Sequence, residues 1–202
     1  MYLEDVTIEG FKSFSEKTHM CFQPGISVII GNNGVGKSNI LDAIVWALGE
    51  NDLNRIRCYN DDELFFAGSK DYPPASQASV ELTFKHGKED KSPTIKLRRE
   101  VVKNGADRYF IDDQPYTSTV YLNKLGAFNL NHALKTIIRQ EQINDILLRN
   151  PEMRLGTICA LLELDSNDSF SGPLKDRIAD CLRRYMLYLI PEAEVSLELL
   201  SR

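Results

Sequence analysis

The amino-acid sequence predicts an α/β fold with a mixed sheet, flanking helices and a C-terminal helical tail. Segments in which apolar and polar residues alternate, at 2–11 and 78–84, indicate strands with one buried face. The segment GISVIIG at 25–31 is apolar throughout, which is typical of a strand buried in the middle of a sheet. The next segment, at 38–50, carries apolar residues around most of a helix surface, so strand and helix alternate along the chain.

Turn and breaker residues divide the rest of the chain. Gly49 ends the first predicted helix, and Asn104 with Gly105 supplies turn chemistry for a hairpin. Pro151 stands at a favourable first position of a helix. The predicted elements after the first helix are strands at 78–84, 94–102 and 107–113, a helix at 119–128, a short strand at 135–139, helices at 142–150 and 151–164, a linker at 165–173 and a last helix from Leu174 to Leu189.

Composition and charge exclude several classes of protein. Of 202 residues, 43% are hydrophobic and 26% are charged, as in an ordinary folded domain, and the net charge of -5 lacks the basic character of many nucleic-acid binders. The four cysteines form no CxxC pair and have no histidine at ligand spacing, so we expect neither a zinc site nor a disulfide framework. No signal peptide and no membrane-spanning run is found, so we expect a soluble protein of the cytoplasm, nucleus or nucleoid.

Residues 31–38, GNNGVGKS, fit the phosphate-loop (Walker A) pattern GxxxxGK[ST]. Glycines let successive backbone N–H groups point at phosphate oxygens, and the following helix adds its positive end. Lys37 would reach the β and γ phosphates, and the Ser38 hydroxyl would ligate Mg²⁺. The alternative is an ordinary strand-to-helix turn, but the position between a buried strand and an apolar helix favours nucleotide binding. The string NKLG at 123–126 lacks the aspartate of the guanine-reading NKxD motif, which disfavours a GTPase.

Several separate segments resemble the head domain of the structural maintenance of chromosomes (SMC) family of ABC-type ATPases. They are IEGFKSF at 8–14, GNNGVGKSNILDAIVWALGE at 31–50, DELFFAGS at 62–69, RYFIDDQPY at 108–116 and IIRQEQINDILLRNPEMRLGTI at 137–158. The resemblance implies a P-loop NTPase fold, namely the N-terminal lobe of an ABC-type head at 1–164, with a linker and helical appendage at 165–202.

The same resemblance implies roles for individual residues. Lys12 and Ser13 would lie beside ATP, and Gln140 would approach Mg²⁺ and the attacking water. Arg57 falls where the family places an arginine linked to DNA-stimulated hydrolysis, and a guanidinium there would stabilise charge on the γ phosphate. Lys37, Arg57 and Gln140 would therefore be the catalytic residues. The residues implied to wrap the phosphates are Gly31, Asn32, Asn33, Gly34, Val35, Gly36, Lys37, Ser38 and Asn39.

Each of these roles has an alternative. Lys12 could be a solvated loop lysine, and Arg55 could take the place of Arg57, or both could be surface charges. Gln142 competes with Gln140, because Glu141 stands where the family usually has a glycine.

The basic cluster KLRRE at 96–100 could contact DNA phosphates. Strand alternation places Lys96 and Arg98 on one face and Leu97 and Arg99 on the other, and a solvated sheet face is the favoured interpretation.

Two elements of an ABC-type catalytic site are not found in the sequence. LYLIPE at 187–192 has proline where the Mg²⁺-binding aspartate of an acidic strand would stand, and SFSGPL at 169–174 is a poor match to an LSGG-type signature. In the SMC family these elements lie in a C-terminal lobe, after a long coiled coil. The sequence is therefore interpreted as the N-terminal lobe alone, as a fragment or a truncated paralogue.

Two hypotheses follow from the sequence. The first is the ATP-binding lobe of an SMC-like ATPase of the condensin and cohesin type, in which ATP and Mg²⁺ drive head-to-head pairing that gates DNA binding. Its partners would be a C-terminal lobe of the same or another SMC-like chain, a kleisin-type subunit, and DNA through the complete complex. The second is a non-catalytic nucleotide-binding or head-pairing protein. ATP hydrolysis is expected only if a C-terminal lobe completes the site.

Overall fold

The computed structural model describes residues 1–87 and 92–128, together with residues 130, 134 and 137. The chain divides into two units, Met1–Ile137 and Ile138–Arg202, and all of the described residues lie in the first. Apart from Ile137, the predicted strand at 135–139 lies outside the described residues, as do Gln140 and all predicted elements beyond it. Neither helix in the described part of the chain has the length and apolarity that crossing a membrane requires.

A six-stranded sheet in the order β2-β1-β3-β4-β5-β6 forms the body of the described unit. Every pairing between these strands is antiparallel. The elements are β1 (Tyr2–Glu9), β2 (Thr18–Cys21), α1 (Lys37–Ala47), β3 (Gln77–Lys85), β4 (Thr94–Val102), β5 (Arg108–Ile111), β6 (Gln114–Tyr116) and α2 (Ser118–Ala127), with 3₁₀ turns at Leu53–Ile56 and Asp61–Leu64. The predicted α/β class with flanking helices is confirmed.

The hydrophobic core lies between one face of this sheet and α1. In β1, Val6 and Ile8 are fully buried, as the alternation of the sequence predicts. α1 packs against β3 and β4, and its Trp46 ring lies 5.4 Å from the ring of Phe11, centroid to centroid. The core therefore fixes α1, and with it the residues that precede α1, against the sheet.

The hairpin between β4 and β5 forms as predicted. Asn104 adopts a left-handed backbone with φ 61°, and the N–H of Gly105 donates to the carbonyl of Val102 over 2.7 Å. This turn brings β5 alongside β4 in an antiparallel register.

The predicted buried strand at 25–31 is wrong for the structure described. Residues 26–30 join none of the described strands, and Ile26, Val28 and Ile30 are 73%, 73% and 90% exposed. A strand in the middle of a sheet needs a hydrogen-bonding neighbour on each side, and the six described strands pair among themselves. An apolar run on its own does not supply those neighbours.

The basic cluster at 96–100 divides between the two faces of β4 as strand alternation predicts. Lys96 and Arg98 lie on the outer face and form ion pairs with Glu81. Arg99 lies on the core face and is 3% exposed. The interpretation of the cluster as a solvated sheet face is therefore wrong for Arg99. Arg99 is therefore a part of the core and cannot contact DNA.

Candidate nucleotide-phosphate site

The N-terminus of α1 has features that favour the binding of a phosphate group. Gly36 precedes the helix in a left-handed conformation with φ 95°, no side chain caps the helix by a hydrogen bond, and its first turn contains no acidic residue. The first backbone N–H groups of a helix have no partner within the helix, and they carry the positive end of its dipole. An anion at this position would satisfy both conditions.

The loop before α1 leaves space where side chains would otherwise stand. Gly34 has φ 84°, and a Cβ placed on it would meet nothing within 4 Å. A Cβ on Gly36 would collide with the hydroxyl oxygen of Ser13. The loop therefore lies close to Ser13 at Gly36 and is open at Gly34.

Lys37 lies across this loop. Its ammonium donates to the carbonyl oxygens of Gly31 and Asn32 over 2.7 and 2.6 Å. These are exposed contacts that a phosphate oxygen could replace. Ser38, the predicted Mg²⁺ ligand, is exposed on the first turn of α1.

Ser13 and Lys12 reach α1 from the end of β1, far away in the sequence. The Asn39 side-chain amide donates to the Ser13 hydroxyl over 2.9 Å. The backbone N–H of Lys12 donates to the carbonyl of Leu64 over 2.9 Å, and Lys12 has a left-handed φ of 48°. The structure thus brings both predicted residues to the N-terminal half of α1.

Asp42 joins the two remaining cations, and the sequence interpretation missed it. This carboxylate is 2% exposed and accepts from Lys12 Nζ over 2.6 Å and from Arg57 Nη2 and Nε over 2.6 and 3.2 Å. The Lys12 ammonium also donates to the carbonyl of Ile56. A single acid inside the apolar helix segment NILDAIVWA was the available signal, because a buried charge needs a partner of opposite charge.

Arg57, and not Arg55, belongs to this cluster. Arg57 Nη2 lies 3.4 Å from Asn39 Oδ1, and its side chain is 45% exposed. Arg55 is 70% exposed and pairs instead with Glu50 over 3.1 Å, away from α1 residues 37–42. The choice between them depended on a left-handed backbone at Arg57, with φ 57°, which the sequence pattern does not reveal.

The charges around α1 do not balance. Lys12, Lys37 and Arg57 carry three positive charges, and Asp42 is the single acid that pairs with any of them in the described residues. Cys58 lies nearby, and burial raises the pKa of its thiol while the Lys12 ammonium offsets part of that rise. The thiol therefore stays protonated at neutral pH, and the cluster keeps an excess of positive charge suited to a polyphosphate.

The glycine loop and the helix that follows it are arranged as in the P-loop nucleotide-binding fold. The family model for the RecF/RecN/SMC N terminal domain matches residues 2–184. The chain belongs to this family and has the fold of the N-terminal lobe of an SMC ATPase head.

Individual relatives give the same result. The chain is 35% identical over 159 residues to the chromosome partition protein Smc of Fusobacterium nucleatum subsp. nucleatum. The aligned region covers 75% of this chain and 13% of that protein. It is 31% identical, with a TM-score of 0.70, to a solved chain from work on ATP-driven dimerization and DNA-stimulated activation of SMC ATPases, covering 80% of this chain and 99% of that one. It is also 31% identical, with a TM-score of 0.68, to the Pyrococcus furiosus Smc head with an extended coiled coil bound to the C-terminal domain of ScpA, covering 93% of this chain and 47% of that one. The chain thus spans about an eighth of the length of the first relative.

Proposed function

We propose that this chain binds ATP with Mg²⁺, as the N-terminal lobe of an SMC ATPase that acts in chromosome organisation, segregation or repair. The observation that carries the proposal is the uncapped N-terminus of α1 with three cations around it and one acid to balance them. Family membership supports a nucleotide as the anion, since this head is an ATPase head in its relatives.

The proposed roles follow from the positions of the side chains. The loop from Gly31 to Asn39 holds the phosphates, and Lys37 exchanges two carbonyl partners for phosphate oxygens. Ser38 is the proposed ligand of Mg²⁺ within the described residues, and Gln140 is its proposed partner outside them. Arg57 keeps free donors on an exposed edge while Asp42 orients its guanidinium, so it is placed to contact a phosphate or the partner head.

Hydrolysis requires a second lobe in this proposal. The acidic strand and the signature of an ABC-type site would come from a C-terminal lobe of the same or another SMC-like chain. The exposure of Ile26, Val28 and Ile30 supports this, because an apolar run beside the phosphate loop is suited to pairing with strands of that lobe.

The proposed partners extend what is known of the relatives. A Smc head has been solved with ScpA, and another structure concerns ATP-driven dimerization of SMC ATPases. We propose a kleisin-type subunit, a head-to-head dimer that forms with ATP, and DNA bound through the complete complex.

Calorimetric titration of the 202-residue chain with ATP and Mg²⁺ tests the site. We expect saturable binding of one ATP per chain, and we expect Lys37→Ala to weaken it by about 10- to 150-fold, since a hydrogen bond to a charged group is worth about 1.5–3 kcal/mol. Lys70→Ala, a substitution at an exposed lysine away from the loop, is the matched control and should bind as the parent does. Equal affinity of the Lys37→Ala variant and the parent would refute the assignment.

Measurement of ATP turnover distinguishes the SMC-like ATPase from the non-catalytic nucleotide-binding protein. We expect no steady ATP hydrolysis by the chain alone and measurable hydrolysis after addition of a C-terminal lobe from a Smc relative. Binding without turnover under both conditions favours the non-catalytic alternative. Steady turnover by the chain alone that survives Lys37→Ala contradicts both.

A further inference from the structure

Three side chains with metal-binding atoms meet on the outer face of β1 and β2. Asp5 and Cys21 are directly opposite each other in the antiparallel register, and His19 lies two residues before Cys21 on the same face of β2. The opposite face of β1 carries the core residues Val6 and Ile8. The cluster is therefore separate from the phosphate site and faces away from α1.

The distances between the ligand atoms are close to those around a tetrahedral metal. His19 Nε2 lies 3.2 Å from Asp5 Oδ1 and 4.0 Å from Cys21 Sγ, and one ligand atom from each of the three residues falls within 4.8 Å of the others. Zn–S and Zn–N bonds of about 2.3 and 2.0–2.1 Å at tetrahedral angles place neighbouring ligand atoms about 3.3–3.6 Å apart. Rotamer adjustments of about 1 Å would complete the coordination.

The backbone around the cluster is well held, whereas its surface is open. β1 is an inner strand paired on both sides, with β2 and β3. The Asp5 side chain is 27% exposed and that of His19 is 54% exposed, and Cys21 is exposed as well. Three protein ligands with an exposed fourth position match a zinc site that keeps a water.

The donor set selects the kind of metal. A thiolate, an imidazole and a carboxylate suit Zn²⁺, whereas Mg²⁺ and Ca²⁺ prefer all-oxygen ligands. A thiolate and a carboxylate together also neutralise the two positive charges of the ion, which lowers the cost of holding it at a partly buried surface.

We propose that Asp5, His19 and Cys21 form a zinc site that clips the edge strand β2 to β1. The sequence did not predict it, because the spacing rules for zinc ligands describe CxxC pairs and helical histidines, whereas here the ligands come from one position and its cross-strand neighbours. Cys21 is the last residue of β2, ten residues before Gly31, so the clip would anchor the chain where it leaves the sheet for the phosphate loop.

Cobalt and zinc titrations of the reduced chain test this site directly. With Co²⁺ we expect visible absorption of a tetrahedral complex and a near-ultraviolet thiolate-to-cobalt band, both removed by one equivalent of Zn²⁺. Zinc should also raise the melting temperature, because it binds the paired strands β1 and β2 of the folded chain. Mg²⁺ should do neither.

Variants assign the binding to these residues. Cys21→Ser and His19→Asn should each weaken zinc binding by more than about 10-fold. Loss of a residue that only hydrogen-bonds to a metal ligand already weakens binding by about that factor, and loss of a ligand itself should cost more. His86→Asn, at another exposed histidine, is the matched control and should bind as the parent does. Lys37→Ala should leave zinc binding intact, so failure of this proposal and failure of the nucleotide site are distinguishable. A thiolate band that persists in Cys21→Ser, or no tetrahedral spectrum at any cobalt concentration, would overturn the proposal and leave an ordinary hydrogen-bonded cluster.

Discussion

The two ends of helix α1 are built in opposite ways. At the C-terminal end, Arg99 donates to the carbonyl oxygens of Trp46 and Glu50, each over 2.8 Å, and pairs with Asp107. Its guanidinium also lies 4.6 Å from the centroid of the Trp46 ring. At the N-terminal end, Gly36 offers no side-chain cap, and the side chain of Arg57, which lies within 3.4 Å of Asn39 Oδ1, is 45% exposed.

This difference shows where the helix dipole is neutralised by the chain and where it is not. The negative C-terminal end has its counter-charge in Arg99, which is 3% exposed and permanently in place. The positive N-terminal end has no acidic residue in its first turn, so the proposed anion is the counter-charge that the chain itself does not supply there. One helix thus has its backbone groups paired with a buried side chain at one end and is left without a side-chain cap at the other, where we propose the anion site.

The largest expected effect on the free energy of unfolding comes from a change at the C-terminal end of α1, at Arg99. Arg99→Met should lower the free energy of unfolding by about 3–5 kcal/mol, because it removes the buried cation that pairs with Asp107 and donates to the carbonyls of Trp46 and Glu50. Urea denaturation followed by circular dichroism measures this change. Lys96→Met, on the same strand but on the outer face with its side chain 39% exposed, is the control and should cost about 1 kcal/mol or less. Similar losses for both variants would mean that the C-terminal end of α1 is not sealed by Arg99.

The next largest effect on the free energy of unfolding is expected at Asp42, the buried acid in the N-terminal half of α1. Asp42→Asn should lower the free energy of unfolding by about 1.5–3 kcal/mol, since Lys12 and Arg57 would share a neutral amide in place of a carboxylate. The same denaturation experiment checks it, with Asp62→Asn as control, because the Asp62 side chain is 68% exposed and pairs only with Lys103 in the described residues. If Asp42→Asn were no more costly than Asp62→Asn, the carboxylate would not hold the cations together.

The smallest effect distinguishes two glycines of the same loop. Alanine at Gly36 or at Gly34 carries the strain of a left-handed backbone, about 1–3 kcal/mol, and only the alanine at Gly36 meets Ser13. Gly36→Ala should therefore be less stable than Gly34→Ala by about 1 kcal/mol, the worth of the hydrogen bond between Ser13 and Asn39. Paired melting curves of the two variants give the difference. Equal melting temperatures would show that the loop does not depend on its contact with Ser13.

Local sequence patterns predicted most of the described elements. Alternation located β1, β3, β4 and β5, apolar periodicity located α1, and a turn signal located the hairpin between β4 and β5. The phosphate-loop pattern also predicted that a helix begins directly after the glycines, and α1 begins at Lys37. These features depend on residues that are neighbours along the chain.

The features that the sequence patterns predicted wrongly or did not predict depend instead on residues far apart in the chain, or on a segment too short to show a pattern. The apolar run at 25–31 was expected to pair, and pairing depends on other strands and not on the run itself. Asp42 and Arg99 looked like ordinary helix and strand positions, since their partners Lys12 and Trp46 are 30 and 53 residues away in the sequence. The short strand β2, which carries two of the proposed zinc ligands, had too few residues for an alternation signal.

The left-handed backbone at Lys12 and Arg57 limits how these two positions can change during evolution. With φ of 48° and 57°, both positions disfavour valine, isoleucine and threonine whatever the charge, while asparagine and glycine fit the backbone but bring no cation. Substitutions that preserve the fold and substitutions that preserve the charge therefore overlap mainly in an exchange of lysine and arginine. In a library that varies every residue, selection for folding alone should enrich asparagine and glycine at both positions, and selection for nucleotide binding should remove them.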